Sequence, residues 1–168
     1  MCDATQHLEP LRIEINLNQQ MLYLLDASNK IVNQYLVSTA ANGFGEQKGS
    51  YKTPRGKHYV RAKIGENAPR GAVFVARRMT GEICTREAWD ANPTRDWILT
   101  RILWLCGTEK GKNRGGDVDT FRRYIYIHGT PDHIELGKPG SRGCIRMNND
   151  DLIQLFKSIK TGCTVDLI

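Results

Sequence analysis

Apolar and polar residues alternate over residues 12–17 (RIEINL), and short extended runs follow at 21–25 and 31–37, separated by polar breaks. Alternation with period two marks a half-buried strand, so the chain opens as a β-meander. Residues 42–56 (NGFGEQKGSYKTPRG) hold four glycines and a proline, the composition of a long connection, and residues 57–62 return to strand. The stretch 63–97 is the least patterned; it offers a strand at 73–76 and a short helix at 85–91. Residues 97–105 are largely apolar, broken only by Thr100 and Arg101, and read as a buried strand, and 107–119 read as a charged loop. A second apolar strand, 124–127 (YIYI), runs straight into His128. Asn149 supplies a helix cap, and Asp150 and Asp151 place negative charge in the first turn. Leu152, Ile153, Leu155, Phe156 and Ile159 give that helix one apolar face, and Gly162 ends it. A last strand at 164–168 completes a mainly β (β-rich α+β) chain with a few short helices.

Composition narrows the class. The 168 residues, 40% hydrophobic and 25% charged, suit one globular domain over residues 11–168 behind an N-terminal extension at 1–10. Residues 1–11 lack the basic start and apolar run of a signal peptide, and no stretch is long enough to span a membrane. The expectation is therefore a cytoplasmic protein with no membrane partner; a periplasmic location would require a native leader absent from the given start. Five scattered cysteines (Cys2, Cys84, Cys106, Cys144, Cys163) without a Cys-x-x-Cys spacing suggest free thiols. The net charge of +6 favours an anionic partner, yet the basic residues are dispersed and aromatics are 8%. An acidic small molecule or peptide fits this better than nucleic acid.

Chemistry concentrates in residues 128–147 (HGTPDHIELGKPGSRGCIRM). A nucleophilic cysteine needs a base or cation, backbone N–H donors where an oxyanion forms, and access for substrate. Cys144, flanked by Arg142 and Arg146, lies sixteen positions after His128, and a loop folding back on itself would bring thiol and imidazole together. Gly143 permits close backbone approach. Taken alone, such a pair also fits a core cysteine and a hydrogen-bonded strand-end histidine.

Other constellations are weaker. His128, His133 and Cys144 are ligand types, but a fourth ligand and metal spacings are missing, so neither metal nor other cofactor is expected. Gly107, Gly111 and Lys112 fall one residue short of a phosphate loop, and Asn113 stands where Ser or Thr is required. Trp89, Trp97 and Trp104 suit a carbohydrate groove or, more commonly, a core or rim. His58 reads as a surface residue, and His133 as a loop residue near the site.

Several ordered motifs together resemble the L,D-transpeptidase catalytic domain, or YkuD, family. They are HGT at 128–130 and LGKPGSRGCIRMNNDDLIQLF at 136–156, with IEINLNQQMLYLL resembling the family's first hairpin and GSYKTPRGKHYV its Lys-Thr-Pro-x-Gly segment. The resemblance spans most of residues 11–168 and is poorest in the middle. It implies a β-sandwich or barrel with one helix after the catalytic loop. It further implies that Cys144 attacks the carbonyl preceding a terminal D-amino acid, with His128 as general base and acid. The Gly129 carbonyl would orient His128, and the N–H groups of Gly143 and Cys144 would form an oxyanion hole. Ser141 would bind substrate or stabilise the turn. Where family members often carry histidine this chain has Arg142, so no second imidazole assists the thiol. Arg142 and Arg146 are candidate carboxylate clamps or thiolate stabilisers, and a salt bridge from Arg146 to Asp150 or Asp151 is the structural alternative.

The implied substrate is a peptidoglycan tetrapeptide or muropeptide, and acylation by carbapenem-type inhibitors is implied with it. The apparent lack of a leader favours an L,D-carboxypeptidase that trims terminal D-alanine during wall recycling. A cross-linking L,D-transpeptidase is the alternative, and a non-catalytic wall-peptide-binding module a third reading.

Overall fold

A computed structural model describes residues 10–168. Residues 1–9, which include Cys2 and nearly all of the expected N-terminal extension, lie outside the described residues.

Among the described residues, ten strands form one sheet. The meander is β1 (Arg12–Asn16), β2 (Met21–Leu25) and β3 (Ile31–Ser38), and its inward positions Ile13, Ile15, Leu22 and Val37 are fully buried. Next come β4 (Gly56–Ile64), β5 (Ala72–Val75), β6 (Arg78–Ile83), helix α1 (Arg86–Ala91) and β7 (Ile98–Gly107). The chain ends with β8 (Tyr126–Gly129), β9 (Ile145–Met147), helix α2 (Asn149–Ser158) and β10 (Thr164–Leu167). The order β4-β10-β1-β2-β3-β9-β8-β7 closes on itself through a β4–β7 pairing, so the sheet is a barrel, with the β5–β6 hairpin appended beside β7. Pairing is antiparallel except for β1–β10 and β8–β9.

The core fills the barrel with side chains from nearly every strand, and α2 plugs it with Leu152, Leu155 and Phe156. Apolar burial on this scale is the main favourable term for a chain of this size.

Four expectations need correction. The cap of α2 is Asn148, whose side chain accepts from the N–H groups of Asp150 and Asp151; Asn149 is already helical and turns its amide inward. Helix α2 stops at Ser158, where Lys63 Nζ donates to the carbonyls of Phe156 and Ile159, and the left-handed Gly162 lies beyond it in the turn to β10. His58 is buried, not superficial: its Nδ1 contacts the Gly56 carbonyl at 2.9 Å and its Nε2 the Thr120 hydroxyl at 2.9 Å. It shares the inward face of β4 with Val60. The unpatterned middle contains a complete hairpin, of which β6 is exposed throughout and so carries no hydrophobic alternation to read.

Candidate active site

The parallel pair β8–β9 aligns His128 with Arg146 and Ile127 with Ile145. Cys144 directly precedes β9 and comes level with Tyr126. Since alternate residues of a strand share a face, Tyr126 and His128 open on the same side as Cys144 and Arg146. His128 and Cys144 accordingly line one cavity of about 360 Å³, together with Tyr51, Arg77, Asp96, Arg123 and Arg142.

His128 is buried, and its Nδ1 lies 2.7 Å from the Gly129 carbonyl oxygen. A carbonyl only accepts, so Nδ1 carries the proton and Nε2 keeps its lone pair. Gly129 in turn is wedged: a Cβ there would meet Asn149 Oδ1 at 2.2 Å and the Leu99 carbonyl oxygen at 2.7 Å. The Asn149 amide donates to the Thr130 carbonyl and to Asp132, both at 2.9 Å, and its oxygen accepts from Thr100 at 2.5 Å. Arg70 bridges Asp132 and Asp150. This network ties the segment after His128 to the start of α2 and the base of the hairpin.

The Cys144 thiol donates to the Tyr124 carbonyl at 3.3 Å and accepts from the Tyr126 N–H at 3.3 Å. Tyr124 holds φ +57, unusual for an aromatic residue, in the turn that presents its carbonyl to the sulfur. Burial pushes the thiol up to about 12; Asp96 adds to the rise, while the Tyr126 N–H, Arg146 and Arg123 oppose it. Burial also pulls His128 down, with Asp96 and the Gly129 bond acting against it. Both shifts favour a neutral thiol and a neutral imidazole, and a thiol in that state must lose its proton before it can attack a carbonyl.

The loop before Cys144 is pinned from several sides. Ser141 is buried; its hydroxyl donates to the Cys144 carbonyl at 2.5 Å and accepts from the Gly143 N–H at 3.2 Å. That geometry matches the turn-stabilising reading of Ser141, and it engages the Gly143 N–H expected to serve an oxyanion. Thr53, from the Lys-Thr-Pro segment, donates to the Gly143 carbonyl at 2.9 Å and accepts from the Ala40 N–H at 2.9 Å. Gly143 has φ +129, a conformation that disfavours any side chain.

The two arginines flanking Cys144 are both held by backbone carbonyls. Arg142 donates to the Thr94 carbonyl at 2.9 Å, bracing the segment that carries Asp96 across the cavity. Arg146 and Arg123 are cations that favour thiolate at Cys144. Arg146 donates to the Gly140 carbonyl at 3.0 Å, and the alternative of a salt bridge to Asp150 or Asp151 is not what forms, since Asp150 pairs with Arg70. His133 packs edge-on against Trp89, ring centroids 4.4 Å apart, and lines a different hollow. Of the trio considered for a metal, His133 thus lies apart from His128 and Cys144. Trp97 is core, and Trp104 stacks on Phe121 and meets Tyr126 edge-on.

Sequence reasoning missed Arg77, Asp96 and Arg123. Arg123 is half-buried and donates to the carbonyls of Lys52 and Gly45. Each reaches the cavity through long-range pairing, and their local sequence carries no signal for it.

A protein called L,D-transpeptidase YkuD in Bacillus subtilis is 34% identical over 61 residues, covering 33% of this chain and 37% of the relative. A solved L,D-transpeptidase from Xylanimonas cellulosilytica has a TM-score of 0.53 at 19% identity, covering 98% of this chain and 63% of the other. The structure of LD transpeptidase LdtMt1 in complex with imipenem gives 0.55 at 15% identity, covering 95% and 59%. At such identities the solved structures speak to the fold, and this chain spans less than two thirds of each of these proteins. The description of the L,D-transpeptidase catalytic domain, YkuD, matches residues 10–167, nearly all of the sequence. Together with the barrel, this match shows that the chain belongs to the YkuD L,D-transpeptidase catalytic domain family.

Proposed function

We propose that the protein is a cysteine acyltransferase acting on peptidoglycan stem peptides, with Cys144 as nucleophile and His128 as base. The observation that carries this reading is the shared cavity, lined by both the Cys144 thiol and an imidazole whose Nδ1 is fixed by Gly129, leaving Nε2 to accept a proton.

In this mechanism Cys144 Sγ attacks the carbonyl preceding a terminal D-amino acid as its proton passes to His128 Nε2. The tetrahedral oxyanion takes backbone N–H donors at Gly143 and Cys144, which requires the Ser141 hydroxyl to release or share the Gly143 N–H. Collapse breaks the C–N bond, His128 returns its proton to the leaving amine, and a thioester on Cys144 remains. Burial keeps His128 neutral, so the base is ready at neutral pH.

The thioester then meets an acceptor. Hydrolysis, expected from the sequence, would make the enzyme an L,D-carboxypeptidase that releases D-alanine in the cytoplasm. One observation favours transfer to an amine: a second hollow of about 440 Å³, lined by Ala41, Asn42, Tyr51, Gly140, Ser141 and Arg142. It adjoins the catalytic cavity through Tyr51, Ser141 and Arg142, which leaves room for a second stem.

Incubation with a disaccharide tetrapeptide, followed by mass spectrometry, separates the readings. Cross-linked dimers identify the transferase; tripeptide with free D-alanine identifies the carboxypeptidase, and cell fractionation then tests the cytoplasmic site. Neither product, or full turnover by Cys144→Ala, refutes the proposal. A carbapenem adduct lost in Cys144→Ala would support the same nucleophile, in line with the imipenem complex of LdtMt1.

A further inference from the structure

Three guanidinium groups line the catalytic cavity, those of Arg77, Arg123 and Arg142, and the charge of Arg146 also acts on Cys144; all but Arg77 are held by backbone carbonyls. Arg123 is anchored by Lys52 and Gly45, Arg142 by Thr94, and Arg146 by Gly140. Arg77 differs. Its one protein hydrogen bond among the described residues runs from Nη1 to the Tyr126 hydroxyl at 3.1 Å. Its guanidinium lies 4.9 Å from the Trp104 ring centre and 4.8 Å from that of Tyr124. Among the described residues it forms no ion pair, whereas five other arginines do.

The backbone beneath it is also unusual. Arg77 and Ala76 occupy the two-residue turn between β5 and β6 with φ of +65 and +47. Such turns favour Asn and Gly, so this turn holds two residues poorly suited to it. The result is a cation at the hairpin tip, stacked on two aromatic rings and projecting into the cavity that contains Cys144.

A guanidinium has five N–H donors in a planar fork that matches a carboxylate. Aromatic stacking fixes the plane without consuming those donors, and one of them is committed to Tyr126. The remaining donors are oriented before any ligand arrives. We infer that Arg77 is a specificity-determining residue that reads a free carboxylate on the acyl-donor peptide, next to the bond under attack. The inference rests on the acyl-transfer reading for its substrate and deepens it: the preferred donor is anionic at that position, and its carboxamide counterpart is a poor substrate.

The test uses a synthetic stem tetrapeptide ending in D-alanine, as the free acid and with each carboxylate in turn converted to a carboxamide. Two readouts are taken: kcat and KM with active protein, and affinity for Cys144→Ala protein, followed by tryptophan fluorescence. Wild type should prefer the free acid over one of the carboxamides by roughly 10- to 100-fold, mostly in KM, the scale of a charge-assisted hydrogen bond. Arg77→Gln should erase that preference by weakening the acid far more than the carboxamide, and Arg77→Lys should restore part of it. The binding readout should give the same ordering without turnover.

An Arg77→Gln protein that loses equally on acid and carboxamide, or keeps the wild-type preference, overturns the inference. Binding discrimination that depends on Arg77 without any turnover would refute the acyl-transfer reading and leave the Arg77 assignment standing. Turnover without discrimination does the reverse.

Discussion

A neutral resting thiol makes Cys144 unreactive until substrate arrives, and this can be measured directly. A rise from the ordinary 9.0 to about 12 corresponds to about 4 kcal/mol in favour of thiol over thiolate. At pH 7 the thiolate fraction is then on the order of 10⁻⁵, about a thousandfold below that of an ordinary cysteine. Alkylation of Cys144 by iodoacetamide, followed site by site by mass spectrometry, should climb about tenfold per pH unit from pH 7 to pH 10 without a plateau. His128→Ala should leave that curve in place, because the resting imidazole is neutral, while lowering turnover about 10²- to 10⁴-fold through loss of general-base assistance. A plateau below pH 8, or a shift of the curve by more than about one pH unit in His128→Ala, would mean a preformed thiolate–imidazolium pair. Either result refutes the reasoning.

Three further outcomes are expected. Burial lowers both His58 and His128 below 6.5, so the unfolded chain takes up protons that the folded chain refuses. Their contribution to stability should be complete above pH 6.5 and fall as pH drops below it, and His58→Gln should flatten part of that slope in urea titrations between pH 6.5 and about 5. Thr53→Val leaves the Gly143 carbonyl and the Ala40 N–H without their buried partner, which should cost about 1–3 kcal/mol in urea unfolding and slow turnover by loosening the Cys144 loop. Gly129→Ala places a methyl group against Asn149 and the Leu99 carbonyl, so a loss of about 1–3 kcal/mol is expected. The His128 ring resonances should shift with it in NMR spectra.

The candidate nucleophile and base stand out in the sequence because they sit in dense motifs: His128–Gly129 ends one strand and Ser141-x-Gly143-Cys144 begins the next. The meander was legible from its alternation, and α2 from its apolar stripe. The burial of His58 had a readable signal, since it lies two residues before the inward Val60 on the same strand face. The Asn148–Asn149 pair defeats cap assignment because either side chain suits the role locally, and the inward turn of Asn149 depends on Thr100, Thr130 and Asp132. Arg77, Asp96 and Arg123 were not legible for a different reason. An arginine in a polar stretch looks solvated, and here the closing of β7 onto β5 and β8 decides what it faces.

Barrel closure has a consequence for how the chain reaches this state. The last strand, β10, inserts between β4 and β1, partners separated from it by about a hundred residues or more of intervening chain. Until those final residues are in place, β1 and β4 each present an unpaired edge able to recruit another extended chain. Folding is therefore a race between insertion of a four-residue strand and edge-to-edge association, and the five residues 164–168 act as the clasp that ends it.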